Sequence, residues 1–396
     1  MFTDMLKQLE CEISDNKSIR KVTLERIDAN HEIVAYEVLN CENAPFIAIV
    51  GMPHGNEPIG FWYCLDFVRR GTYKLHKSNF LVIPILDYEV ALLNEWIERE
   101  FSLEKFIFSN YINTIDTQLE FTYGKNMRIC QKKFVDLYKN YNIKYTIFIH
   151  QVPTISGIYC YTNMAMDEQV VRKLQKIFLS GNIPLEESPQ GINVKKYAKG
   201  IFGVFRRNNL GNNCLGDDYS CQEYFNDILC EKYIVLEIPF WATKGIEHFI
   251  LKDSSRLKAQ LSNIALHTVK IRDMIYKDVL SQHEKNCIYW LNESIRLDNI
   301  VLDILSQKES DLYSIDIYYI LRHLIYKASY LSMSLKIDNS IIYRNTEGLI
   351  VDILGIIRKY GSLIDMRLVK YKEGYRYINQ IVDLCEKLMI RGENNN

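Results

Sequence analysis

The chain has 396 residues, is 48% hydrophobic, and balances 48 Lys and Arg against 49 Asp and Glu for a net charge of −1. That length exceeds one average domain and can bury a sizeable core, while the near-neutral charge gives no global case for binding nucleic acid or an anionic membrane. No apolar run approaches a membrane span, the first residues do not read as a signal peptide, and none of the ten cysteines forms a CxxC pair, so a cytoplasmic, reducing setting is expected.

In chain order, residues 18–28 and 31–39 read as paired strands around an Asp28-Ala29-Asn30 turn, leading to an apolar strand at 46–52. That strand ends in Pro53-His54-Gly55-Asn56-Glu57-Pro58, a turn-rich loop that presents His54 and Glu57 at i, i+3 before Pro58 opens a helix through residue 70. Strand 79–86, helix 89–99 and helix 129–141 continue an alternating β/α pattern. The β-branched and aromatic run 144–150 then ends on His150. Strand 157–162, a helix near 167–180 and strand 201–207 follow, and residues 206–221 form the most turn-like loop of the chain, with Tyr219 and Tyr224 at and beyond its end. A third apolar strand, 233–240, carries Glu237 in its middle, where an unpaired carboxylate would be costly.

Ligand sites in α/β sheets collect at the carboxyl ends of strands, where His54, Glu57 and His150 can converge. Two imidazoles and a carboxylate suit zinc and leave a position for water, and Glu237 adds a nearby carboxylate. The donor types point to hydrolytic zinc chemistry.

Gly51–Glu57, Ile147–Tyr161 and Val235–Pro239 together resemble the zinc carboxypeptidase family, in the broad sense that includes the aspartoacylase and succinylglutamate desuccinylase branch. The resemblance covers roughly residues 46–245. It implies zinc (Zn²⁺) held by His54, Glu57 and His150, with Glu237 as the general base that takes a proton from water and passes it to the leaving amine. It further implies that Asn126 and Arg128 hold a substrate carboxylate, although Met127 separates the family's Asn-Arg pair. The aspartoacylase Asp-Leu-Asn-Arg signature is missing, Leu86-Asp87-Tyr88-Glu89 stands where the family keeps Asn-Pro-Asp-Gly, and Gln151 replaces the usual Glu after the third ligand. The implied activity is hydrolysis of an amide bond next to a free carboxylate, in a peptide or N-acyl amino acid. The alternatives are an aspartoacylase-type deacylase, or a non-catalytic binding protein that keeps the fold.

Beyond residue 250 the pattern becomes helical. Leu257, Leu261, Ile264, Thr268, Ile271 and Ile275 follow one face, similar spacings recur through 288–305, 312–334, 347–360 and 363–389, and Gly361 is placed as a terminator. The expected architecture is a mixed α/β sheet flanked by helices over 1–250, then an all-α domain over 251–396 that stays clear of the sheet. Dimerisation, partner docking or shaping the site's mouth are the roles open to that domain. No partner in the form of nucleic acid or membrane is expected.

Overall fold

The computed structural model describes the chain except residues 95–97, 100, 115–116, 189–193, 207–217, 244–249, 253, 277–279, 309–310 and 394–396. Its centre is a ten-stranded mixed sheet. Helix α1 (Phe2–Ile13) precedes the antiparallel pair β1 (Ile19–Arg26) and β2 (Glu32–Val38), whose connection Asp28 closes by accepting the backbone N–H of Asn30 and of His31. Then come β3 (Phe46–Gly51), α2 (Ile59–Arg69), β4 (Asn79–Ile83), α3 (Tyr88–Leu93), α4 (Leu103–Ser109), α5 (Ile129–Asn140), β5 (Ile143–Ile155), β6 (Tyr159–Thr162) and α6 (Glu168–Leu179). The short β7 (Lys196–Ala198), β8 (Ile201–Phe202) and α7 (Cys221–Glu223) lead to β9 (Lys232–Thr243). The strand order is β1-β2-β4-β3-β5-β9-β6-β8-β7, and β4, β3, β5 and β9 run parallel. Every residue of β3 and β4 is buried, as expected for strands covered on both faces.

The end of β3 is fixed by close backbone packing. A Cβ on Gly51 would lie 2.4 Å from the carbonyl oxygen of Gly60, so α2 rests directly on the strand that delivers the His54 loop.

Several expectations need correction. The helix expected over 89–99 stops at Leu93, because the Asn94 side chain captures both the N–H and the carbonyl of Tyr111. Helix α4 follows, capped by the Ser102 hydroxyl accepting the Lys105 N–H, a cap the periodicity did not expose. The strand expected at 201–207 holds only for Ile201–Phe202, and most of the 206–221 loop lies outside the described residues.

The C-terminal part is helical, with α8 (Ser255–Ile275), α9 (Gln282–Ser306), α10 (Ser314–Ser334), α11 (Ser340–Gly361) and α12 (Tyr371–Glu393). Helix α8 buries the six residues read as its face. The segment is not all-α and does not stay clear of the sheet. A small ribbon pairs β10 (Ile250–Leu251) with β11 (Leu312–Tyr313), and β12 (Met366–Leu368) pairs antiparallel with β9 at residues 241–243. Strand β6 pairs with β9 only over residues 234–237, so the polar backbone beyond it needs another partner, and β12 provides one. Gly361 keeps a helical φ of −63°, and the chain turns instead at Asp365, with φ 51°. Among the described residues, no helix is long and apolar enough to cross a membrane.

Candidate metal centre

Strand β3 runs into Met52, which is buried with a left-handed φ of 53°, a conformation that costs a non-glycine residue free energy and marks a constrained turn. The turn is pinned on three sides. The Glu57 N–H reaches the His54 carbonyl at 3.1 Å, Asn56 Nδ2 donates to Asn110 Oδ1 at 3.0 Å, and the Gly55 N–H points at Asp87 Oδ2. Gly55 lies so close to α3 that a Cβ would come 2.2 Å from the Ala91 nitrogen. The loop thus holds His54 and Glu57 rigidly at the carboxyl end of the interior strand β3.

The sheet register supplies the rest. His150 on β5 stands opposite Glu237 on β9, and Glu237 in turn stands opposite Tyr159 on β6. His150, Glu237 and Tyr159 therefore form one row across three strands. The strand β5 continues beyond His150 to Ile155, so the histidine sits inside the strand rather than at its end.

His54, Glu57 and His150 are buried, and each offers a ligand atom within 4.8 Å of the others. His150 Nδ1 is 2.9 Å from Glu57 Oε2, and that oxygen also accepts the Gln151 N–H at 3.1 Å. The Gln151 side chain accepts the Ile59 N–H, tying β5 to the start of α2. His54 Nε2 is engaged by Glu120 Oε2 at 2.8 Å, while its Nδ1 is buried without a hydrogen-bond partner. An orphaned ring nitrogen beside a second imidazole and a carboxylate fits a bound dication. A carboxylate behind the ligating histidine is the usual outer support of such a site.

The electrostatics agree. Burial opposes protonation of His150, yet Glu57 and Glu237 outweigh it and push the imidazole up to about 10. Burial likewise opposes the charge on His54, and Glu57 and Glu120 raise it. Burial, with Glu57 and Glu120 nearby, pushes Glu237 up to about 8 despite His150. Burial resists ionisation of Glu120, but its hydrogen bond to His54 keeps its carboxyl below the usual range. Three carboxylates thus favour positive charge at this point, and a dication binding there displaces imidazole protons.

The four residues open on a cavity of about 290 Å³. Tyr159 and Tyr161 of β6 line it together with Phe121 and Phe205, and Trp290 of α9 and Tyr326 and Tyr330 of α10 complete an aromatic lining. Trp290 stacks on Tyr330 with ring centroids 4.7 Å apart, and Tyr330 stacks on Tyr326 at 5.8 Å. The C-terminal helices therefore build a wall of the site.

Asn126 and Arg128 are not brought into this cavity. Arg128 caps α5, where its N–H donates to Gln131 Oε1, and its guanidinium turns outward to Glu89 at 2.7 Å. Asn126 is exposed and bonded to Asp218. Tyr219 and Tyr224 do not line it either. Glu120 was missed by sequence reasoning, and its only signal was a carboxylate flanked by the buried Leu119 and Phe121.

No protein-family model matches the chain, and no curated protein matches it. Among solved structures, it is similar to a protein of Shewanella denitrificans provisionally named a metallopeptidase, at 14% identity over 60% of this chain and 80% of that one, with a TM-score of 0.40. It is also similar to a metallo-carboxypeptidase from Pseudomonas aeruginosa at 10% identity over 59% of each chain and a TM-score of 0.40. An aspartoacylase family protein from Mesorhizobium loti is similar at 13% identity over 57% of this chain and 62% of that one, with a TM-score of 0.35.

Proposed function

We propose that the protein is a zinc-dependent hydrolase of an amide bond. The observation that carries this reading is the convergence of His54, Glu57 and His150 at ligand distance, with Glu237 beside His150 on the neighbouring strand and facing the same cavity. Two imidazoles and one carboxylate suit zinc better than the all-oxygen sets of magnesium or calcium.

Bound zinc would supply Lewis acidity, acidifying water and polarising a carbonyl. Glu237 then accepts the water proton and delivers it to the departing amine. Its place opposite His150 on the neighbouring strand, facing the cavity, suits it to that transfer. Glu120 keeps Nε2 of His54 occupied, so Nδ1 stays available to the metal. The aromatic wall of α9 and α10 narrows access by water and offers an apolar surface to the group next to the scissile bond.

The residues expected to select a free carboxylate lie elsewhere, and no Lys or Arg is among the described residues that line the cavity. Arg206 is paired with Asp227, and Arg207 lies outside the described residues. The substrate class we infer is accordingly an amide flanked by an apolar or aromatic group.

Zinc-loaded protein assayed on peptides and N-acyl amino acids, each as free acid and as amide, tests this. Hydrolysis should vanish with a chelator and return with zinc, aromatic substrates should lead, and amidation should not lower kcat/KM. Glu237→Gln should cost about 10²–10⁴ in kcat while zinc stays bound. Normal turnover by that variant would overturn the assignment of the base.

A further inference from the structure

We propose that a second cavity, on the opposite face of the sheet from the metal centre, binds a small molecule carrying two or more phosphoryl groups. Gln151 contributes to its lining, and because successive strand residues face opposite ways, it lies behind the sheet from His150. The cavity has a volume of about 1020 Å³ and is far larger than the metal site. Arg70, Arg99, Lys105, Lys370 and Lys372 line it, and Asp66 is the single carboxylate among the described lining residues.

The cations come from four separate segments, the end of α2, the approach to α4, α4 itself and the start of α12, so their convergence is a product of the fold. Asp66 is shared by Arg99 at 2.6 Å and Arg70 at 3.3 Å, and Lys105 is paired with Glu98. Among the described residues, five cations less those two carboxylates leave three positive charges, in a chain whose net charge is −1. Lys370 and Lys372 are exposed, with no ion pair among the described residues. Gathering like charges in a concavity is unfavourable unless an anion enters it.

The recognition surface is also pre-ordered. The Arg99 guanidinium lies over the Trp62 ring, 4.9 Å from its centroid, while gripping Asp66, so its remaining donors are held in one orientation. Tyr371 and Tyr375 flank the cations, and the Tyr371 hydroxyl is fixed on the Glu98 carbonyl at 3.1 Å. Arg and Lys clusters bind phosphoryl oxygens through charge-assisted hydrogen bonds. A concave pocket of small-molecule size matches a compact polyanion, whereas nucleic acid calls for an extended basic stripe. The inference goes beyond the amide-hydrolase reading and does not rest on it.

The test is calorimetric titration of the full chain with inorganic tripolyphosphate and, separately, with a nucleoside triphosphate, at about 0.15 M ionic strength. Saturable one-site binding is expected, weakened roughly tenfold or more in the Lys370→Glu, Lys372→Glu double variant. That variant should keep the wild-type thermal midpoint in the absence of ligand, because both side chains are exposed. Tighter binding of the nucleoside triphosphate than of tripolyphosphate would assign a role to the flanking tyrosines, and the reverse would reduce the site to the phosphate chain; either supports the proposal. His54→Ala should leave the affinity unchanged. Binding that is absent, that survives the double variant, or that is lost in His54→Ala would overturn the proposal, as would a short DNA duplex that binds more tightly than tripolyphosphate through the same lysines.

Discussion

Glu120 decides which nitrogen of His54 is available for a metal. Its carboxylate takes Nε2 at 2.8 Å, so the ring presents Nδ1, the buried nitrogen without a partner. Glu120→Gln keeps the shape but removes the charge that supports the imidazole, so zinc affinity should fall roughly tenfold to a hundredfold, and Glu120→Ala should lose at least as much. Competition against a chromogenic chelator measures this, and wild-type affinity in the alanine variant would sink the assignment. Glu120 also marks the limit of what residues alone disclose. His54, Glu57, His150 and Glu237 were legible because donor chemistry coincided with strand and turn signals. Glu120 was not, because its meaning comes from a contact 66 residues away. For Arg128 the contact matters as much: its type fits a carboxylate anchor, but at the start of α5 its guanidinium pairs with Glu89 and does not line the cavity.

At the scale of elements, the aromatic wall depends on how α9 and α10 are locked together. Asp298 on α9 accepts from His323 at 2.7 Å and from Lys327 at 2.5 Å, both on α10, and Lys327 also reaches Ser294. All four residues are buried, within a turn or so of Trp290, Leu297, Tyr326 and Tyr330. Burial depresses the imidazole of His323, more than its bond to Asp298 restores, so the folded protein keeps the ring neutral. Between that depressed value and the unfolded value of about 6.5, the unfolded chain binds more protons than the folded one. The stability tied to His323 is therefore present in full above about pH 6.5 and is lost as pH falls through the window below it. His323→Gln retains a donor for Asp298 but cannot titrate. The difference in thermal midpoint between the wild type and this variant should shrink as pH falls from about 7 to 5. A pH-independent difference would show that His323 does not titrate on unfolding. The helices themselves were legible from their periodicity, down to the buried face of α8. Strand β12 was not, because three residues carry no period and exist only to satisfy the backbone of β9.

Those same three residues bear on the whole molecule. The change of pattern near residue 250 suggested two folding units, yet the last helix belongs to the sheet. Tyr377, Ile378, Ile381, Val382, Leu384 and Cys385 of α12 are buried, Asn379 accepts from the Tyr63 hydroxyl on α2, and Glu386 accepts the N–H groups of Lys77 and Ser78 at the entry to β4. Burying six such side chains contributes about 10 kcal/mol or more, which is comparable with the whole stability of an ordinary domain. A fragment of residues 1–250 would expose that face of the sheet and leave the edge of β9, five residues past Glu237, without β12. We expect it to bind a hydrophobic dye, to show no cooperative thermal transition and to hold no zinc, whereas co-expression with residues 251–396 should restore all three properties of the intact chain. A 1–250 fragment that unfolds cooperatively and retains stoichiometric zinc would instead establish the boundary at 250 as a true domain limit, with α12 and β12 as attachments to an independently stable metal centre.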